Sequence, residues 1–351
     1  MRRRGIISFI AAALVAGLAG CRTSKEAQVS EPQRQLASLY NPSRLSLHPD
    51  FSIYHESNNY SVLFIRAYPA ELRFSEANED AEYRAMMALR YQLMHLDDPQ
   101  SEGEVIDSAS VTYKLKAEDE TRPAFFASLN IPVEQGKHYL LKLEIEDLNR
   151  GSRGLKYLFV DKSSPWGGQN FKVVSNFSGY PKFMRFFLPG ESFNVEYRDP
   201  SVDSVYLSYF RMTSELPRPP ITASADYTMN YTPDTSYLAA LDDTTLNNLD
   251  REGMYLMRVD ERFDEGLTMF NFGESFPEVK SPDELLEPLF YLATLAEYRD
   301  LRRESNKKLA VDNFWLGLGN NLERSRELIR IYYNRVIYSN LYFTTNKEGW
   351  K

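Results

Sequence analysis

Apolar residues recur at every second position through most of this chain, and at every third or fourth only near its end. Residues 60–66 (YSVLFIR) and 70–75 (AELRFS) read as strands separated by a turn at Tyr68-Pro69. Residues 105–116 alternate through Ile106, Ala109, Val111 and Tyr113 with one slip of phase, the mark of a bulge that inserts an extra residue into a strand. After a strand at 124–131, HYLLKLEIEDL at 138–148 puts Tyr139, Leu141, Leu143 and Ile145 on one face and Lys142, Glu144 and Glu146 on the other. A turn at 149–154 (NRGSRG) leads to a strand at 155–160. Residues 83–96 (YRAMMALRYQLMHL) fit two descriptions. Their Ala, Met and Leu favour helix; the surrounding strands favour strand, which is the reading taken. Period-two runs spaced by turn residues predict an antiparallel β-sandwich over residues 46–162.

Pro and Gly in SSPWGG, 163–168, mark a boundary. Beyond it, 171–175, 184–187, 193–197, 204–212, 254–259 and 267–272 are strand-like. LPRPP at 216–220 is an extended crossing, and 232–250 reads as a long polar loop with a helical turn near Leu246. A second, less regular sandwich over 163–275 follows. At Ser281 the period becomes helical: Ser281 caps, Pro282 suits the first helical position, and Glu284 completes a capping box. Leu285, Leu289, Leu292 and Ala296 continue one helix to Arg299, Arg302 and Arg303, which suit its C-terminal dipole. Two more helices are predicted, from about Asn306 to Leu316 and from near Asn320 to about Leu341. The expected fold is mainly β: two tandem antiparallel, Ig-like β-sandwich modules, then an all-α segment over 281–351.

The first residues obey neither period. MRRRGIISFIAAALVAGLAGC places three arginines before an apolar run that closes on small residues and Cys21, the one cysteine of the chain. A basic start, an apolar centre and a small-residue end make an export signal over 1–20. The run is shorter than the ~20 apolar residues of a spanning helix. Leu18-Ala19-Gly20-Cys21 resembles the lipobox of bacterial lipoproteins. The resemblance implies removal of the leader and acylation at Cys21, a palmitate-type anchor in which each buried CH₂ contributes roughly 0.8 kcal/mol. Residues 21–45 are polar and aperiodic, and read as a flexible tether. Arg22 differs from the aspartate that keeps some lipoproteins at the inner membrane, so the expected address is the outer membrane of the cell envelope, facing periplasm or surface.

A single cysteine excludes internal disulfides and multi-thiolate zinc sites. Apolar cores must hold the fold, and 43% hydrophobic and 13% aromatic residues supply them. The formal charge of −8 argues against nucleic acid as a partner, because that binding needs Lys and Arg to displace counterions. His48, His55, His95 and His138 show no metal-binding spacing. No nucleophile elbow, phosphate loop or dinucleotide fingerprint is present, so no catalytic residue, metal or cofactor is selected. A pair of glycosidase carboxylates is not singled out either. Tyr206, Tyr209, Phe210, Tyr227 and Tyr231 are candidates for stacking on sugar rings or lining an interface. Triplets at 107–109, 203–205 and 243–245 resemble an O-glycan acceptor pattern of some Gram-negative envelopes, with Thr244, in its loop, the best candidate.

The end of the chain carries a more specific pattern: Phe314-Trp315, then Tyr332-Tyr333-Asn334-Arg335-Val336, then Gly349-Trp350-Lys351. It resembles the GWxTD domain, a module of unassigned function in exported bacterial lipoproteins, whose pattern is Phe-Trp, Tyr-Tyr-x-Arg-Val and Gly-Trp-x-Thr-Asp. Residues 316–320 (LGLGN) replace a polar, proline-containing stretch of that pattern, and the sequence stops at its variable position. The expectation is therefore a truncated domain in which Trp350 has little to pack against. Trp315, Tyr332, Arg335, Gly349 and Trp350 are the candidate interaction residues. The expected function is noncatalytic: a lipid-anchored envelope protein that binds or scaffolds other envelope proteins. A polysaccharide-binding surface lipoprotein is the alternative, and a glycan hydrolase a weaker one.

Overall fold

The computed structural model describes residues 47–76, 82–98, 103–176, 178–212, 216, 232–241 and 249–351. The leader, Cys21, the expected tether, Tyr227, Tyr231, Thr244 and Leu246 lie outside the described residues. Eight strands come first: β1 (Asp50–Tyr54), β2 (Tyr60–Ala67), β3 (Ser75–Glu76), β4 (Tyr83–Leu96), β5 (Glu104–Lys116), β6 (Phe125–Pro132), β7 (His138–Asp147) and β8 (Arg153–Asp161). They form two antiparallel sheets, β1-β2-β6 and β3-β4-β7-β8, with β5 paired to the other side of β4. The sheets share one core. Leu63 and Ile65 of β2 meet Leu141, Leu143 and Ile145 of β7 there, none more than 1% exposed. The period-two face of β7 is thus the buried one.

The ambiguous 83–96 segment is a strand. Pairing on both sides, with β5 and β7, satisfies its backbone and buries Ala85, Met87, Leu89 and Leu93, so tertiary context overrides helix propensity. The phase slip is a bulge: Leu93 pairs with Asp107 and Met94 with Val105, which leaves Ile106 without an opposite residue. The expected strand at 70–75 is not formed. Pro69 opens a 3₁₀ turn, Pro69–Glu71, and Leu72 and Phe74 enter the core from a loop that Asp147 holds through the Arg73 N–H at 2.8 Å.

Six strands follow: β9 (Phe171–Ser175), β10 (Phe193–Tyr197), β11 (Ser204–Phe210), β12 (Thr235–Ala240), β13 (Gly253–Arg258) and β14 (Leu267–Asn271). They form an antiparallel pair, β10-β9, and a four-stranded antiparallel sheet, β12-β11-β13-β14, around Phe193, Val205, Leu207, Met257 and Met269. Two expectations fail here. Residues 184–187 make only a single bridge, Phe186 to Phe270. Part of the expected 232–250 loop is β12, an edge strand in which only Ala239 is buried, so pairing rather than a hydrophobic pattern defines it.

The helical segment comprises α1 (Pro282–Leu286), a 3₁₀ turn (Glu287–Tyr291), α2 (Leu295–Arg303), α3 (Lys307–Gly319) and α4 (Leu322–Phe343). The capping box of Ser281 and Glu284 forms as expected. The first helix is split, however. Pro288 brings no N–H and crowds the preceding turn, and Thr294 with Glu297 makes a second capping box that restarts the helix.

The end of β8 is tied back to the β1–β2 connection by two buried side chains. His55 Nε2–H donates to the Asp161 carbonyl at 2.8 Å, and its Nδ1 meets Ser61 Oγ at 2.8 Å. Lys162 Nζ donates to the carbonyls of Ser57 (2.5 Å), Tyr60 (2.9 Å) and Val133 (3.2 Å). Both side chains are fully buried. Burial, with the Lys162 charge beside it, lowers the His55 pKa from 6.5 to about 4. The unfolded chain binds a proton near pH 6.5 that the folded one refuses until about pH 4, so stability falls as pH drops through that window. The full effect is about 3 kcal/mol. Thermal unfolding of the wild type should show this slope, and His55→Gln should flatten it; equal slopes in both proteins would refute the assignment.

Candidate functional site

The aromatic residues of the C-terminal pattern meet where α3 and α4 pack on α1 and the 3₁₀ turn. Trp315 is 2% exposed, and its ring lies 5.5 Å from Tyr332 and 5.9 Å from Tyr333. Both tyrosines reach the broken first helix. Tyr333 O–H donates to the Leu285 carbonyl at 2.6 Å, and Tyr332 O–H to the Pro288 carbonyl at 2.6 Å. Trp315 Nε1–H donates to the Tyr333 oxygen at 3.4 Å. Three residues beyond Leu285 stands Pro288, which has no N–H for a 3₁₀ bond to that carbonyl. Burial pushes both phenols up to about 12. These hydroxyls stay protonated donors at any physiological pH.

The start of α4 packs equally close. Ser325 O–H lies within bonding distance of the carbonyls of Trp315 (3.0 Å) and Asn321 (2.7 Å). A Cβ at Gly319 would sit 2.7 Å from the Ser325 nitrogen, so the glycine admits this approach.

The last residues fold back on the helices. The Gly349 N–H donates to Thr344 Oγ1 at 3.0 Å, whose hydroxyl donates to the Asn340 carbonyl at 2.6 Å. A Cβ on Gly349 would stand 1.8 Å from the Ser339 carbonyl oxygen, so only glycine fits there. Trp350 is half-buried, edge-on to Tyr291 at 6.3 Å, with Lys351 Nζ 5.2 Å from its ring centre. Tyr291 O–H donates to the Lys351 carbonyl at 3.1 Å, and Lys351 Nζ pairs with Glu348 (2.6 Å) and Glu287 (3.4 Å). The expectation that Trp350 lacks a packing partner is corrected by these contacts.

Of the five candidate interaction residues, Trp315 and Tyr332 serve the interior, Gly349 and Trp350 the fold-back, and Arg335 alone is exposed. On α4 it lies between Ile331 and Tyr338, exposed at the same helical spacing. Tyr333 and Pro288 are the residues that sequence reasoning passed over. Their signals were present, as the second tyrosine of a pair and a proline inside a leucine-spaced run.

The other candidates are dispersed. Tyr209 donates to the Glu252 carbonyl at 2.8 Å, Phe210 is buried, and Tyr206 is half-buried. Ser108 is exposed on β5, and Ser204 opens β11 beside Asp203 at 3.0 Å. His48 pairs with Glu71 at 2.8 Å and His138 with Asp161 at 3.4 Å. Among the described residues, no helix is long and apolar enough to cross a membrane.

Residues 253–351 match the GWxTD domain family. The C-terminal part of this chain is a GWxTD domain. The match begins in the second β block and takes in β13 and β14 as well as the helices, further upstream than Ser281. No curated protein matches the chain. Among solved structures, a Bacteroides uniformis β-glucuronidase 2 covalently bound to cyclophellitol-6-carboxylate aziridine matches at 14% identity and a TM-score of 0.22, over 40% of this chain and 15% of that one. A Bacteroides uniformis β-glucuronidase matches at 13% identity and a TM-score of 0.21, over 34% of this chain and 15% of that one. The chain thus spans about 15% of the length of these structures, a likeness that carries no argument.

The GWxTD helices should respond unequally to substitution. Tyr333→Phe strands the Leu285 carbonyl and should lower unfolding free energy by about 1–2 kcal/mol. Arg335→Ala, on the surface, should change it by less than about 0.5 kcal/mol. Denaturant unfolding followed by tryptophan fluorescence measures both; equal losses would contradict the division into interior and surface.

Proposed function

We propose that this GWxTD protein is a lipid-anchored component of the cell envelope, held at the outer membrane through acylated Cys21, that binds and scaffolds other envelope proteins without catalysis. One observation carries the binding role. Half of the exposed large apolar side chains among the described residues fall between Phe290 and Phe343. Leu309 and Leu316 stand seven residues apart on α3, and Ile331 and Tyr338 flank Arg335 on α4. Concentrated apolar exposure marks docking surfaces, and Tyr and Arg are enriched in them. Behind this surface the tyrosine-to-carbonyl bonds hold the helices fixed, and a preorganised surface loses less entropy on binding. The anchor is supported by the leader and by the position of the single thiol.

Two measurements test the reading. Metabolic palmitate labelling should mark the wild type and leave Cys21→Ala unlabelled. A photocrosslinker at Ile331 should give a discrete heteromeric species in the native envelope that Arg335→Glu abolishes, whereas one at exposed Tyr157 of β8 should give none. Unlabelled wild type removes the anchor, and indistinguishable crosslinking from both positions removes the docking role.

A further inference from the structure

The larger sheet of the first β block is closed at one edge and open at the other. It runs from β8 through β7 and β4 to β5. At the β8 edge, Gln169 stands in for a neighbouring strand. Its side-chain oxygen accepts the Asp161 N–H at 2.9 Å, and its amide donates to the Phe159 carbonyl at 2.8 Å. At the opposite edge β5 pairs with β4, and no further strand joins it among the described residues. Beyond that ladder its backbone makes a bond only at its last residue, where Asp119 accepts the Lys116 N–H at 2.8 Å.

An open edge is a template for another strand, and proteins blunt it with charge, Pro or a bulge. The middle of β5 carries none of these. Its bulge at Ile106 lies near the start, and residues 108–113 (SASVTY) hold no charge, Pro or Gly. Of its side chains only Leu115 is buried. Charge selects what fits this edge. The strand is acidic at its start, at Glu104 and Asp107, and basic at its end, at Lys114 and Lys116. Among the described residues, Glu104, Lys114 and Lys116 form no ion pair within the chain. A second β5 running antiparallel sets opposite charges side by side at both ends, whereas a parallel one sets like against like. Opposite charges across a strand pair stabilise it, and like charges destabilise it.

We propose that β5 pairs antiparallel with β5 of a second copy of this chain, about a two-fold axis beside Ser110, so that the two sheets run on as one. This register sets Ser110 opposite Ser110, Ser108 opposite Thr112 and Ala109 opposite Val111, and brings Lys116 beside Glu104. The facing side chains are small or β-branched and uncharged, and the charges fall at the ends. Such a contact uses the same surface on both copies and closes at two, so the open edge is covered without growth into a fibre. It uses different elements from the docking surface on α3 and α4, and the two readings stand or fall independently.

Sedimentation of the full chain in mild detergent tests the pairing. The wild type should show a concentration-dependent equilibrium between monomer and dimer. Ser110 is exposed, and Ser110→Lys and Ser110→Glu each set like charges against each other at the axis. Each should weaken the dimer by about fivefold. A mixture of the two variants should recover it, because a lysine then faces a glutamate; damage to the fold gives no such recovery. Leu238→Lys, exposed on the edge strand β12, should leave the dimer unchanged. A wild type that stays monomeric, whether bare or joined to a different protein, overturns the proposal. So does a dimer indifferent to both Ser110 variants, one that their mixture fails to restore, or one that Leu238→Lys weakens.

Discussion

A buried backbone carbonyl without an N–H partner must find another donor, and here those donors are side chains from far along the sequence. The Lys162 ammonium has three hydrogens and meets three carbonyls, of Ser57, Tyr60 and Val133. His55 serves Asp161, Tyr333 serves Leu285, Tyr332 serves Pro288, and Asn340 serves Pro277 at 2.9 Å. Each bond joins stretches at least 29 residues apart in the sequence. A chain whose only cysteine is Cys21 has no internal disulfide to perform this task. Burying the Lys162 charge has a consequence: its pKa falls to about 8, chiefly through desolvation. At neutral pH the ammonium persists because its hydrogen bonds offset much of the desolvation.

This constraint also explains how much of the fold was legible. β7 could be read from its residues because burial on one face imposes alternation. β12 could not, because four of its first five side chains are exposed and its definition is the ladder with β11. The expected strand at 70–75 and the expected continuous first helix fail at prolines, Pro69 and Pro288. Leucine spacing outweighed Pro288, although Thr294 and Glu297 spelled out a second helix start. The candidate site divides the same way. The aromatic pattern was visible, but its role was not, because the acceptors of Tyr332 and Tyr333 lie 44 and 48 residues away, in the 3₁₀ turn and at the end of α1, where the expected continuous helix breaks. Burial moves these aromatics from an interaction surface to a scaffold, with Arg335 left outside.

The GWxTD match reaches back to Gly253, and packing gives a physical reason for including strands. Asn340 of α4 binds the carbonyl of Pro277, in the connection that leaves β14. Phe276, one residue earlier, packs against Phe186 and Phe272 at 4.8 Å. The helices therefore have a contact with the end of the β13–β14 hairpin. Farther along α4, Tyr342 and Tyr338 reach the first β block, with ring centres 4.9 and 6.2 Å from His48, whose Nδ1 pairs with Glu71. One long helix thus bears on both β blocks, while the stripe holding Ile331 and Arg335 remains outward.

Charge distribution explains how the cations of this surface are met. Acidic residues outnumber basic ones, 49 to 41, so an arginine has a carboxylate within easy reach almost anywhere on this surface. Arg66 takes Asp50, Arg90 takes Glu144 and Glu146, Arg153 takes Glu146, Arg262 takes Asp260 and Arg330 takes Glu327. Arg185, exposed beside β14, pairs with no carboxylate among the described residues. A surface guanidinium without a partner is solvated by bulk water and needs no explanation.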